Sequence, residues 1–260
     1  MTTEQSPRIS PPLCRRRAKE LLSLPDMRLH LVFTSMLCLA FTVGGLYMIE
    51  CAFCVVPWAE LYHSDVVRHL LWLVLMLVIE VLYIVLAALP MLFGAAMIYQ
   101  AAAQGKREPL STLLSPFASF RTYRRALGVM LRLLALPALT IGLCALLILA
   151  ADRADMVWLM AVILLFSALL LTAVSLLCCR DDAVLPLAYL RPDAPPSALF
   201  SASLRLTHGR LIALWRFKLS HIGWALLSVA SLGVVLMLHA LPYFSLSHTL
   251  YLNAPENPDV

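Results

Sequence analysis

Apolar residues run almost unbroken over 31–56, and the pattern repeats over 70–98, 126–151, 156–179 and 211–252, with polar and charged residues gathered in the gaps. A helix needs about 20 mostly apolar residues to cross a hydrocarbon layer roughly 30 Å thick. Each of the first four runs therefore predicts one membrane-spanning helix. The last run is 42 residues long and as one straight helix would measure about 63 Å, so it has to fold back. Gly233 lies near its midpoint, where a residue without a Cβ best tolerates a turn. That divides the run into spans over 211–231 and 234–252. The expectation is an all-α polytopic transmembrane helical bundle of about six spans, one domain over 31–252 between a basic tail at 1–30 and a short tail at 253–260.

The gaps carry their own signals. Residues 1–30 contain Pro7, Pro11, Pro12 and Pro25 and the basic group Arg15, Arg16, Arg17 and Lys19, the composition of a partly disordered segment. The apolar run that follows starts too late and is too long for a secretory signal, so it reads as a retained first span. Pro90, four residues before Gly94, predicts a kink in the second span, because proline supplies no N–H and its ring crowds the preceding turn. Residues 100–125 set Leu110, Leu113, Leu114, Phe117 and Phe120 at near-helical spacing among Lys106, Arg107, Arg121, Arg124 and Arg125. That pattern predicts an amphipathic helix lying in the interface. Asp193 followed by Pro195 and Pro196 marks the start of another short helix, carrying Arg205 and Arg210, since proline suits a first turn.

Composition fixes the solvent: 62% of the 260 residues are hydrophobic and 13% charged, and the mean hydropathy is +0.86. No soluble core hides that much apolar surface. The net charge of +5 does not make a nucleic-acid groove, because the basic residues sit at the ends of apolar runs. They concentrate in 1–30, 100–125 and 180–210, whereas the alternate gaps hold only Arg68 and Arg153. By the positive-inside rule this predicts a multi-pass protein of the plasma membrane with both termini cytoplasmic. Arg121, Arg124, Arg125, Arg205 and Arg210 are then the expected contacts for anionic lipid headgroups.

Few residues carry candidate chemistry. Glu80 interrupts the second span near its middle, where a carboxylate is costly unless it faces the bundle interior, is protonated or is paired. It reads either as a relay for transport or as a hydrogen-bonded lock between helices. Arg132 lies two turns inside the third span and can snorkel to the headgroups. His221, His239 and His248 fall in the last apolar run, but His239 and His248 are about 180° apart on one helix, so they do not converge as metal ligands. Cys51 and Cys54 resemble a redox pair, yet they close a helix, where the dipole opposes a thiolate. No Walker loop, H-E-x-x-H or G-x-S-x-G occurs, and no catalytic, cofactor or metal residue is assigned.

The C-terminal third carries a longer pattern: Ser203-x-Arg205-x-x-x-Gly209-Arg210, then Leu219-Ser220-His221-Ile222-Gly223-Trp224, then Gly233, then Pro242-Tyr243. It resembles the bacterial integral membrane proteins grouped as domain of unknown function 975, with His221 where that family usually has Phe. The resemblance implies a six-helix membrane protein without an assigned activity. Two functions fit the sequence: a non-catalytic protein that organises lipid or an unspecified protein partner, and a small transporter or channel component using Glu80.

Overall fold

The computed structural model describes residues 11–54, 66–153, 157–231 and 240–253, and all regular structure among them is helical. The order is α1 (Pro11–Ser23), α2 (Pro25–Cys54), α3 (Val66–Tyr83), a π-helical turn (Ile84–Ala88), α4 (Leu89–Ala103), a 3-10 helix (Leu110–Ala118), α5 (Phe120–Arg153) and α6 (Val157–Cys178). A 3-10 turn (Cys179–Asp181) follows, then α7 (Val184–Leu190), α8 (Pro196–Thr207), α9 (Leu211–Leu219), α10 (Ile222–Ala230) and α11 (Leu241–Asn253). Four segments are long and apolar enough to span a bilayer: Pro25–Phe53, Leu71–Ala103, Phe120–Ala150 and Trp158–Leu190. Large apolar side chains point away from the protein along them, with Leu139 74% and Trp158 87% exposed. Lipid is the solvent for such surfaces, and the protein is membrane-embedded.

The last apolar run behaves differently. The fifth expected span, 211–231, is broken at Ser220 and His221 into two helices of 9 residues each, each rising only about 13 Å. Ser220 turns its hydroxyl back to the Phe217 carbonyl, a local bond that competes with helix continuation. The expected turn at Gly233 lies outside the described residues. Six spans are therefore not seen as six continuous helices.

Two other segments depart from expectation. Residues 11–23, expected as part of a partly disordered tail, form α1. Cys14, Ala18 and Leu22 follow one another at helical spacing and are buried, so α1 has an apolar stripe, which packs along α11. Pro11, Pro12 and Pro25 fall at its boundaries, where proline does no harm. The amphipathic helix expected over 100–125 is instead three pieces. Gly105, at φ 72°, ends α4 in the left-handed region that suits glycine, and the 3-10 helix follows. Ser119 then caps α5: Thr122 N–H donates to Ser119 Oγ and Ser119 N–H to Thr122 Oγ1, both at 3.2 Å. Arg121, Arg124 and Arg125 thus belong to the first turns of a spanning helix.

Helix α4 is the centre of the molecule. Met91, Ala95, Ile98 and Tyr99 face one core with α1, α2, α9 and α11, whereas Leu89, Phe93 and Met97 face a second core with α5, α7 and α8. Its small residues let neighbours approach closely, most of all at Gly94, which lies against the Leu113 and Thr112 carbonyls of the 3-10 helix. Polar bonds join it to its partners: Gln100 Nε2 donates to Thr249 Oγ1 at 3.0 Å, and the Tyr99 and Ser35 hydroxyls bond each other.

The expected kink at Pro90 takes the form of the π-turn just before it. Pro90 offers no N–H to the Leu86 carbonyl four residues back, and the Tyr123 hydroxyl donates to that carbonyl at 2.9 Å. In lipid no water can replace this donor. Tyr123→Phe should therefore destabilise the protein by about 1–2 kcal/mol, read as a lower midpoint in detergent-induced unfolding followed by circular dichroism. An unchanged midpoint would show that the carbonyl needs no donor.

Candidate functional site

The 3-10 turn after α6 places two consecutive carboxylates, Asp181 and Asp182, where α5, α9 and α11 meet. Backbone anchoring holds this turn, since Ser203 and Thr207 of α8 both donate to the Arg180 carbonyl, at 2.8 and 3.0 Å. Asp182 is nine-tenths covered, with its side chain 10% exposed. Lys218 Nζ of α9 donates to its Oδ1 at 2.6 Å. Oδ2 lies 3.4 Å from His248 Nε2 of α11, close enough for attraction when the imidazole is protonated. Both atoms are buried and neither has another polar partner. Asp182 thus joins two elements about one carboxylate.

Two cavities meet there. One of about 340 Å³ is lined by α2, α4, α7 and α11 and includes Ser35, Tyr99, Gln100 and His248. The other, about 650 Å³, is lined by α6, α9, α10 and α11 and includes Trp215, Lys218, His221 and Trp224. Asp181, Asp182, Leu133, Leu241 and Phe244 line both. Trp215 is held by its Nε1–H, which donates to Ser175 Oγ at 2.9 Å. Around the two cavities runs an aromatic group in which the Phe217 and Tyr251 rings stack at 4.6 Å and the Phe244 and His248 rings at 5.7 Å. The Arg15 and Arg210 guanidinium groups lie 5.5 Å from Phe217 and 5.6 Å from Tyr251.

A third cavity, of about 540 Å³, opens at the start of α5 between Arg121, Arg124 and Arg125 and the 192–196 loop. Arg125 is half-buried and structural, donating to the Ala188 and Arg191 carbonyls at the end of α7 at 3.0 and 2.9 Å. That suits a cation at a helix C-terminus. Arg121 and Arg124 are exposed.

The residues singled out in the sequence fall in several places. His221 is buried, with Nδ1 3.0 Å from the Phe217 carbonyl and Nε2 3.3 Å from Ser247 Oγ. The first contact suits a proton on Nδ1, while the Ser247 hydroxyl beside Nε2 donates to the Phe244 carbonyl at 3.1 Å. Ser220 accepts a bond from Arg15, tying α1 to the break between α9 and α10. Pro242 and Tyr243 are buried in α11, Trp224 is half-buried, and Gly223 has open space beside it. Gly209, at φ 76°, turns the chain between α8 and α9. Arg132 does not simply reach outward: its guanidinium lies 4.3 Å from the Phe200 ring centre, a cation–π contact. Arg210 turns to Tyr251, and Arg205 is exposed on α8. Glu80 is half-buried on α3 and lines none of the three cavities. His239 and Gly233 lie outside the described residues. Among the described residues no three His, Cys, Asp or Glu side chains are grouped to hold a metal ion. Outside the spans, burial pushes the Cys14 thiol above its ordinary value, which keeps it protonated and unreactive.

Sequence reading missed the Asp182–Lys218–His248 group. Asp182 and Lys218 are charges beside apolar runs and His248 lies within one, and only their spacing in the fold joins them. The chain matches no protein-family model, no curated protein and no solved structure.

Proposed function

We propose that the protein is a non-catalytic component of a plasma membrane that holds anionic phospholipid headgroups, on the cytoplasmic side, in the arginine-lined cavity at the start of α5. The observation that carries this reading is that cavity: three guanidinium groups face a single carboxylate, Asp193. Arginine binds phosphate through paired N–H groups, and the N-terminal end of a 34-residue helix adds partial positive charge. Apolar side chains beside it suit acyl chains, since Phe120 is 77% exposed and Leu114 57%. A headgroup there would meet cations while its tails meet aromatic and aliphatic surface.

Thermal unfolding of the purified protein in detergent tests this. Short-chain phosphatidylglycerol should raise the midpoint by preferential binding to the folded state, and phosphatidylcholine of the same chain length should not. Salt should weaken the effect. The double substitution Arg121→Gln and Arg124→Gln should abolish the shift while leaving the lipid-free midpoint in place. Equal shifts from both lipids, or a shift that survives the double substitution, would overturn the reading.

A further inference from the structure

The 650 Å³ chamber beside Asp182 is separate from the arginine-lined cavity and makes no use of it. The geometry points to a binding site there for a lipophilic organic cation, reached from the bilayer. The volume falls within the range of small-molecule sites, about 300–1,000 Å³. Its lining is largely apolar and aromatic, with Trp215, Trp224 and Phe244 contributing rings. Ring faces attract cations, most of all away from water.

The charges decide the sign of the ligand. Two carboxylates, Asp181 and Asp182, line the chamber against one lining ammonium, Lys218, and Arg180, which does not line it, lies 3.8 Å from Asp181. That ammonium is already held by Asp182 Oδ1 at 2.6 Å. The second oxygen, Oδ2, lies 3.4 Å from His248 Nε2, so Asp181, whose ion-pair partner is the half-exposed Arg180 at 3.8 Å, is the carboxylate that an entering cation meets. An anion would meet two carboxylates and find no unpaired lining cation. A neutral apolar molecule would leave Asp181 with only its 3.8 Å contact to Arg180. Access from lipid is supported by the rim, where Ile222 is 57% and Leu219 40% exposed. Hence the ligand is both cationic and membrane-soluble.

Binding of radiolabelled tetraphenylphosphonium to the full-length protein in detergent tests this, with tetraphenylborate as a probe of the same shape and opposite charge. Saturable binding of the phosphonium and none of the borate is expected. Asp181→Asn, which leaves the Asp182–Lys218 pair in place, should weaken phosphonium binding by about tenfold, the effect of 1.4 kcal/mol. Trp224→Ala should weaken it severalfold. The paired substitution Asp182→Asn with Lys218→Gln removes both partners together, so it keeps the fold testable, and should also weaken binding. Equal binding of the two probes, non-saturable uptake equal to that of detergent alone, or unchanged affinity in Asp181→Asn and the paired variant would each overturn the assignment. Loss of phosphatidylglycerol stabilisation in Arg121→Gln/Arg124→Gln would leave it untouched.

Discussion

Replacing Gly94 by leucine is expected to cost about 3 kcal/mol or more, because the new side chain has nowhere to go. A Cβ at this position would press into the carbonyl groups of Leu113 and Thr112. Those are backbone atoms and cannot swing aside as a side-chain tip can. The 3-10 helix would have to lift off α4, uncovering Leu113, which is 3% exposed. Even alanine should be strongly destabilising. The control is Gly142→Ala in α5, where an added Cβ meets nothing within 4 Å; there the better helix propensity of alanine should leave stability unchanged or raise it by up to about 1 kcal/mol. Both are read as shifts in the midpoint of detergent-induced unfolding. Equal midpoints for Gly94→Ala and the wild type would show that the 3-10 helix is not seated on α4 as described.

Asp182→Ala should have the second large effect. It removes the shared partner of Lys218 and His248, whose side chains are only 28% and 16% exposed. Stranding a charge in such surroundings costs about 3 kcal/mol. Removing both partners of a covered pair is far milder than removing one, so Asp182→Asn combined with Lys218→Gln should recover most of the loss. A double-mutant cycle on this pair separates the two effects. If Asp182→Ala and the paired variant were equally stable, the ion pair would contribute nothing and the carboxylate would matter only as packing.

How much of this was legible beforehand depended on the range of the forces involved. The four long helices follow from runs such as 156–179, because an apolar stretch in lipid must satisfy its own backbone whatever its neighbours do. The beginning of α8 at Pro196 and the disturbance before Pro90 were equally local. By contrast, Cys14, Ala18 and Leu22 formed a recognisable stripe hidden behind a stronger signal, the prolines and arginines around them. The break at Ser220 turns on one hydroxyl choosing a carbonyl three residues back, which no apolar pattern encodes. The candidate sites were least legible of all. Lys218 and Asp182 are 36 residues apart, and Arg125 reaches a carbonyl 66 residues away. A charge flanking an apolar run looks the same whether it marks topology or completes an ion pair. Glu80 stood out by depth alone, although the described cavities lie elsewhere.

The packing of α1 along α11 sets a schedule for biosynthesis. Helix α1 is also tied to the break between α9 and α10, where Arg15 bonds Ser220, 205 residues later in the chain. At ordinary translation rates the ribosome needs roughly 10–40 s to make such a length. Throughout that interval the stripe of Cys14, Ala18 and Leu22 lacks its partner α11. Gln100 waits in the same way for Thr249, 149 residues later. A nascent chain stalled before α11 would present a half-covered amphipathic helix and an unanswered amide inside the bilayer, the kind of incompleteness by which membrane quality control can tell an unfinished protein from a finished one.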